Sequence, residues 1–179
     1  MKATGIVRRI DDLGRVVIPK EIRRTMRIRE GDPLEIYTAV DGEVIFKKYS
    51  PIGEMTDLAT GYADVLYRAI GEPVLISDRD RIIAAAGIAK REAIERRISP
   101  ALEIMMENRE NYVKGADTKA LYPLADSEVS AAVAYTILGS GDVSGSVILL
   151  GSRENYTPTL SDIKLIEVAS HFLGKQTED

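Results

Sequence analysis

The sequence predicts a mixed α+β protein of two domains, over residues 1–53 and 54–179. In the first domain, short apolar runs between turn residues flank a single short helix. The second domain opens with a long amphipathic helix, after which strands and helices follow one another. Charge divides at the same place, because residues 1–53 carry 11 Lys+Arg against 8 Asp+Glu, whereas residues 54–179 carry 13 against 20.

Composition excludes several classes of protein. The chain of 179 residues is 45% hydrophobic and 29% charged, and it has no cysteine, which excludes disulfides, thiol nucleophiles and cysteine-bound zinc. No apolar run approaches the ~18 residues of a membrane span, and no signal sequence follows Met1. We therefore expect a cytoplasmic protein.

His171 is the only histidine, and packing or surface exposure is favoured over catalysis or metal binding.

The elements of the first domain follow from its turn residues. Strands are predicted over residues 6–10 and 15–18, on either side of the turn Asp11-Asp12-Leu13-Gly14. Pro19 fits the start of a helix that runs from Lys20 to about Ile28. Strands over residues 34–40 and 43–49 are joined by Asp41-Gly42, a pair suited to a two-residue hairpin turn. Because so small a module has neither cysteines nor an evident metal site, we expect it to fold by sharing strands with a second copy.

Basic residues concentrate at the start of the chain, where residues 1–29 carry 9 Lys+Arg against 3 Asp+Glu. At helical spacing, Lys20, Arg23, Arg24 and Arg27 form one stripe, and Ile22 and Met26 fall on the opposite, core-facing side. A solvated surface is one interpretation of this stripe. Further basic residues in the neighbouring segments favour a polyanionic partner instead: Lys2, Arg8, Arg9 and Arg15.

Four motifs resemble the DNA-binding domain of AbrB-type transition-state regulators: Thr4-Gly5-Ile6-Val7-Arg8, Leu13-Gly14-Arg15-Val16-Val17-Ile18-Pro19, Glu21-Ile22-Arg23-Arg24-Thr25 and Asp32-Pro33-Leu34-Glu35-Ile36-Tyr37. The resemblance implies a swapped-hairpin dimer that binds double-stranded DNA. Its pattern places DNA contacts on Arg8, Arg15, Arg23 and Arg24, with Lys2 and Lys20 as weaker candidates for phosphate contacts. Gly5 and Gly14 are interpreted as residues needed for the backbone conformation.

The second domain is predicted to alternate helices and strands. Its first helix has an apolar stripe from Met55 to Ile70 and ends at Gly71. Ser99-Pro100 interrupts a helical region over residues 89–110, and a final helix runs from Thr159, which can form a capping box with Asp162, to Gly174. Strands are predicted over residues 73–78, 81–84, 112–113, 121–124, 129–137 and 143–150.

Residues 76–83 and 145–150 resemble GAF domains, which implies an antiparallel sheet between helical layers in a sensor domain. No cyclic-nucleotide signature and no cysteine for a bilin are found, so the ligand, if any, is unknown and no cofactor is expected. Asp78 and Asp80 are interpreted as residues of a turn and not as a catalytic or calcium site. The glycine-rich segment Gly139–Gly145 is interpreted as a hairpin connection instead of a phosphate loop. Met105 and Met106 are interpreted as core residues.

The two resemblances together imply a DNA-binding activator or repressor of sporulation genes, acting at the nucleoid and modulated by a ligand or by assembly. Its partners would be DNA and further copies of itself. A homodimer would form through the first domain, and a homotetramer through the helices near Met55 and Leu165. The alternative is an antitoxin-like module that binds a toxin and regulates its own gene. An enzyme is the weakest class, because no convergent catalytic set is visible.

Overall fold

A computed structural model describes residues 6–153 and 156–178. The chain divides into two compact units, Met1–Tyr49 and Ser50–Asp179. Within the described residues, no helix is both long and apolar enough to cross a membrane.

The described residues of the N-terminal unit form one helix and one hairpin. Helix α1 spans Lys20–Met26, and the antiparallel strands β1 and β2 span Leu34–Thr38 and Val44–Lys48. Their turn contains Gly42 at a φ of +87°, a conformation that glycine adopts without strain, but Asp41 does not share it, as a two-residue turn would require. The N–H of Ala39 donates to the carbonyl of Glu43 at 2.9 Å and the N–H of Gly42 donates to the carbonyl of Ala39 at 3.1 Å, so the loop also includes Val40. The predicted helix and hairpin are therefore confirmed, whereas the predicted two-residue turn is wrong.

The predicted strands over residues 6–10 and 15–18 are not strands within one chain. Residues 6–10 are exposed, and the only buried residue among residues 6–49 is Pro19. A strand needs a neighbour to accept and donate its backbone hydrogen bonds. Among the described residues, these two segments are joined by the turn between them, where the N–H of Asp11 donates to the carbonyl of Arg15 at 2.9 Å.

The C-terminal unit is an α+β sandwich around a five-stranded antiparallel sheet, in the order β4-β3-β7-β6-β5. The α+β class and the antiparallel sheet are as predicted. Its strands are β3 (Val74–Ser77), β4 (Ile82–Ala86), β5 (Tyr112–Val113), β6 (Ala131–Gly139) and β7 (Asp142–Leu150). Its helices are α2 (Pro51–Glu54), α3 (Thr56–Ile70), α4 (Lys90–Ala93), α5 (Pro100–Glu107) and α6 (Leu160–Gln176).

Both faces of this sheet are covered, which explains why its strands are apolar throughout. Ile76 and Val147 face a core that includes Ala63 of α3 and Ile166 of α6. Leu75 and Ile148, of opposite parity on the same strands, face a second core. Helix α5 contributes Leu102, Met105 and Met106 to that core. Alternation along β3 and β7 thus divides their side chains between two cores.

Helix starts in this unit follow the predicted capping residues. The Ser99 hydroxyl accepts a hydrogen bond from the backbone N–H of Leu102 at 3.1 Å, and Pro100 is the first helical residue. Thr159 and Asp162 form a reciprocal capping box at the start of α6. The two predicted caps are therefore confirmed.

Two predicted elements are wrong because the chain makes other backbone bonds. Helix does not continue across residues 94–99, since Glu95 and Arg96 pair with Ile82. Residues 121–124 form no strand, because Pro123 has no N–H to donate and only an isolated bridge joins Leu124 to Ile98.

The predicted end of the last helix is also wrong. Helix α6 continues through Gly174 to Gln176. Gly174 is buried there, and a Cβ at this position would collide with the backbone carbonyl of Leu138 in β6. The glycine therefore permits close packing of helix on strand, and it does not stop the helix.

Candidate nucleic-acid interface

The arginines predicted to contact DNA lie on consecutive segments of the N-terminal unit, and all are exposed. Arg8 lies in the extended segment and Arg15 follows the first turn. Arg23 and Arg24 lie on α1, whose first residue is the exposed Lys20. Lys2, like Gly5, lies outside the described residues.

A tight turn over residues 11–15 holds the first of these segments against the second. The N–H of Asp11 donates to the carbonyl of Arg15 at 2.9 Å, and the N–H of Gly14 donates to the carbonyl of Asp11 at 3.0 Å. Gly14 has a φ of +75°, in the left-handed region, so its predicted role as a backbone device is confirmed.

The carboxylate of Asp11 organises this turn from inside. Its Oδ1 accepts hydrogen bonds from the backbone N–H groups of Leu13 at 3.0 Å and of Arg15 at 2.8 Å. Its Oδ2 accepts a hydrogen bond from Nε of Arg15 at 2.8 Å. One carboxylate thereby fixes the backbone of the turn and pairs with a predicted DNA-contacting side chain.

These contacts favour the charged form of Asp11. The hydrogen bonds from the backbone and side chain of Arg15 lower the pKa of Asp11 below its usual value, against the opposing effect of burial, and the N–H of Leu13 adds a smaller contribution. Asp11 is thus a carboxylate at neutral pH. Sequence reasoning treated it only as a turn residue, although its spacing of four residues from Arg15 was a signal for the pair.

Helix α1 ends one residue before Arg27, and this corrects the predicted basic stripe. Arg27 has a φ of +52°, and the N–H of the following Ile28 donates to the carbonyl of Arg23 at 2.8 Å. Arg27 is half-buried beyond the helix, so it does not extend the exposed surface of Arg23 and Arg24.

The apolar side of α1 is less buried than predicted. Ile22 is half-buried, but the side of the helix that was predicted to face a core leaves Met26 exposed in the single chain. The reason is that the N-terminal unit of one chain supplies too few apolar neighbours to cover it.

Strand β2 anchors the end of α1. Nζ of Lys48 donates to the carbonyl of Arg27 at 3.0 Å and lies 3.7 Å from Oδ2 of Asp32. Asp32 Oδ2 in turn accepts the backbone N–H of Arg29 at 2.8 Å. A cation at the carbonyl end of a helix also interacts favourably with the helix dipole. Lys48, which sequence reasoning did not single out, therefore holds α1 in place.

Such an arrangement suits a polyanion. Guanidinium groups stay charged at any physiological pH, and their planar N–H groups can donate in pairs to a phosphate or to the major-groove edge of guanine. The four arginines predicted to contact DNA are exposed along one short stretch of chain, and two of them lie on a helix anchored at its end.

Comparison with known proteins shows a relative that matches the whole chain. The sequence is 48% identical over 182 residues to stage V sporulation protein T of Bacillus subtilis (strain 168), covering 99% of each chain. The chain belongs to the stage V sporulation protein T family. The family described as "Stage V sporulation protein T C-terminal, transcription factor" matches residues 54–178. This is a family of transcription factors that regulate sporulation genes, and not of enzymes.

The N-terminal part also has matches of its own. It is 59% identical over 61 residues to the transition state regulatory protein AbrB of Bacillus subtilis (strain 168), covering 34% of this chain and 60% of that protein. Residues 7–53 match the family described as "Antidote-toxin recognition MazE, bacterial antitoxin". The full-length match decides between the two predicted functions in favour of the transcription factor.

Solved structures of low sequence identity match about 70% of the chain. A type II free methionine-R-sulfoxide reductase from Thermoplasma acidophilum is 9% identical, with a TM-score of 0.52, and the match covers 70% of this chain and 94% of that one. The GAF domain of the nutrient sensor CodY from Clostridium difficile is 14% identical, with a TM-score of 0.46, and the match covers 69% and 91%. The first likeness concerns fold alone.

Other sequence features of this family member have structural roles. Oδ1 of Asp78 accepts the backbone N–H groups of Asp80 at 2.7 Å and Arg81 at 2.8 Å, as predicted for turn chemistry. Gly141 lies in the β6–β7 hairpin at a φ of +85°. Met105 and Met106 are core residues and His171 is exposed. In the described part of the chain, no three acidic or histidine side chains are grouped to hold a metal ion.

Proposed function

We propose that a homodimer of this transcription factor binds double-stranded DNA through Arg8, Arg15, Arg23 and Arg24, with Lys2 and Lys20 as further phosphate contacts. The observation that carries the proposal is the exposure of all four arginines on segments that surround one organised turn and one anchored helix. The local excess of 9 basic over 3 acidic residues in residues 1–29 would be doubled in a dimer.

The arginines have two tasks in this proposal. Contacts to phosphates release counterions and give affinity that falls steeply with salt, whereas contacts to base edges give sequence preference. A dimer presents two copies of each arginine, and a tetramer presents two such dimers. Engagement of a second dimer on the same DNA then raises affinity through effective concentration.

Dimerisation of the N-terminal unit by exchange of hairpins is supported by its lack of a core. Between residues 6 and 49 of a single chain only Pro19 is buried, and many apolar side chains are exposed. These include Val7, Ile10, Val17, Ile36 and Val44. A second copy would cover them and would give residues 6–10 and 15–18 the strand partners that one chain does not provide.

Assembly of dimers into a tetramer is proposed through α3 and α6. Tyr62 of α3 and Phe172 of α6 stack with ring centroids 5.2 Å apart. Beside them the helices expose further apolar side chains: Leu58, Val65, Leu165 and Val168. Helices that expose apolar side chains next to one another are suited to bundle with those of another copy.

The remaining parts of the proposal concern organisation and control. The DNA-binding domain would comprise residues 1–53 and the sensor domain residues 54–179. Ligand binding or assembly of the second domain would determine when the arginines engage DNA. The protein would then act in the cytoplasm, at the nucleoid.

A salt series on paired variants tests the DNA contacts. In the full-length protein, Arg23→Ala with Arg24→Ala is expected to weaken binding to a duplex selected by the wild-type protein from a random library. Each lost phosphate contact should also reduce the slope of log K against log salt by about 0.9. Fluorescence anisotropy at several salt concentrations measures both quantities.

The matched control removes the same charge from the C-terminal unit, with Arg68→Ala and Arg91→Ala at two exposed positions. This control should leave affinity and slope close to those of the wild type. Unchanged affinity and slope in the Arg23 and Arg24 variant, with circular dichroism showing an intact fold, would falsify the assignment.

A further inference from the structure

We propose that Asp11 is a positioning residue for Arg15, so that this carboxylate raises the affinity of the protein for DNA. The inference rests on the proposed DNA-binding function and adds an acidic residue to its machinery. Its basis is the turn over residues 11–15, in which Oδ1 and Oδ2 of one carboxylate have separate tasks.

The orientation of the carboxylate is set by the backbone and not by the arginine. Oδ1 of Asp11 accepts the N–H groups of Leu13 and Arg15 at 3.0 and 2.8 Å, which fixes the plane of the carboxylate. Oδ2 then accepts Nε of Arg15 at 2.8 Å. An exposed arginine otherwise samples many rotamers, and ordering it on binding costs free energy. In this turn the Arg15 side chain is already partly ordered by Asp11 before DNA binds.

The contact with Asp11 also leaves the two terminal nitrogens of the Arg15 guanidinium able to contact DNA. Asp11 contacts Nε alone, so the N–H groups on the two terminal nitrogens are not used in this pair. The Arg15 side chain remains 70% exposed, and that of Asp11 is 38% exposed. Paired donation from the two terminal nitrogens to a phosphate or a guanine is therefore compatible with the contact to Asp11.

Charge repulsion alone predicts that Asp11 lowers the affinity of the protein for DNA, which is the opposite of our proposal. A carboxylate in a DNA-binding segment repels phosphates, so removing its charge should increase affinity. If Asp11 positions Arg15, removing its charge should decrease affinity. Asp12, the next residue, is also exposed and acidic, and it supplies the comparison.

The experiment compares Asp11→Asn with Asp12→Asn in the full-length protein. The probe is a labelled duplex selected by the wild-type protein from a random library, at one fixed salt concentration. Asparagine retains an oxygen for the N–H groups of Leu13 and Arg15 but loses the charge that attracts Nε. We expect Asp11→Asn to raise Kd about threefold to tenfold, as expected when a flexible side chain must be ordered on binding. Asp12→Asn should leave Kd unchanged or lower it.

Repeating the comparison in an Arg15→Ala variant distinguishes the positioning of Arg15 from a general disruption of the turn. With Arg15→Ala already present, Asp11→Asn should no longer raise Kd, because the side chain that it positions is missing. An unchanged or lower Kd for Asp11→Asn in the wild-type background overturns the proposal. So does an equal rise of Kd in both backgrounds, which would mean that Asp11 only maintains the turn.

Failure of this inference differs from failure of the proposed function. If Arg23→Ala with Arg24→Ala leaves affinity and salt slope unchanged, the DNA contacts are wrong and Asp11 has nothing to position. If that variant loses affinity and Asp11→Asn does not, the function stands and only the role of Asp11 is refuted.

Discussion

Two glycines show at the residue scale how the same substitution can have opposite effects in two helices. Gly174 of α6 is buried, and an added Cβ would collide with the carbonyl of Leu138. Gly61 of α3 is exposed, and an added Cβ would meet nothing within 4 Å. Backbone entropy alone favours alanine over glycine within a helix by about 0.5–1 kcal/mol.

We expect Gly174→Ala to destabilise the C-terminal unit by about 1–3 kcal/mol, because backbone atoms must shift to admit the methyl group. Gly61→Ala should stabilise it by about 0.5–1 kcal/mol. Urea unfolding followed by circular dichroism measures both changes. A Gly174→Ala variant as stable as the wild type would show that α6 can move away from β6 at little cost.

At the element scale, the sequence predicted best where local chemistry decides. Thr159 with Asp162 and Ser99 with Pro100 identified helix starts, because capping depends on residues within one turn. Glycine was ambiguous: Gly71 does cap α3 in a left-handed conformation, whereas Gly174 lies inside α6. Only the neighbouring strand distinguishes the two, and a sequence does not show which strand that is.

The misassigned strands have a similar explanation. Alternation and turn residues predict that residues 6–10 and 15–18 are extended, but a strand is defined by its partner. For the candidate interface, the DNA-contacting arginines were predicted from motif resemblance. The pair of Asp11 and Arg15 could have been predicted from their short spacing. The contact between Lys48 and Arg27 that anchors α1 could not, because 21 residues separate the two in the chain.

The apolar surface of α3 and α6 carries a prediction about assembly. Val168 of α6 is 56% exposed, and Ile104 of α5 is 57% exposed, so they form a matched pair of surface apolar residues. We expect Val168→Lys to reduce tetramers to dimers, because a lysine in an apolar interface loses hydration and the burial of a valine there contributes about 1.5–3 kcal/mol. Ile104→Lys should leave assembly unchanged.

Sedimentation velocity at micromolar concentration distinguishes the outcomes. Dimers only in the wild type would contradict the tetramer itself. Tetramers in both variants would mean that dimers associate through another surface.

At the scale of the whole molecule, the two units differ in how they achieve stability. The C-terminal unit buries two cores on the faces of one sheet. The N-terminal unit buries only Pro19 among residues 6–49, although it exposes large apolar side chains such as Val7 and Ile36. Because apolar burial is the main favourable term in folding, one copy of this unit lacks the means to stay folded alone.

We therefore expect residues 1–53, produced alone, to be folded only as a dimer. Folding and association would then be one equilibrium, so the melting temperature should rise with protein concentration. Circular dichroism melts over a range of concentrations, with sedimentation equilibrium at each, measure this coupling. The matched control is the fragment 54–179, whose melting should depend much less on concentration because each copy has its own cores. A folded monomer of residues 1–53 with a constant melting temperature would exclude the exchange of hairpins, and the arginines would then act as one set per chain.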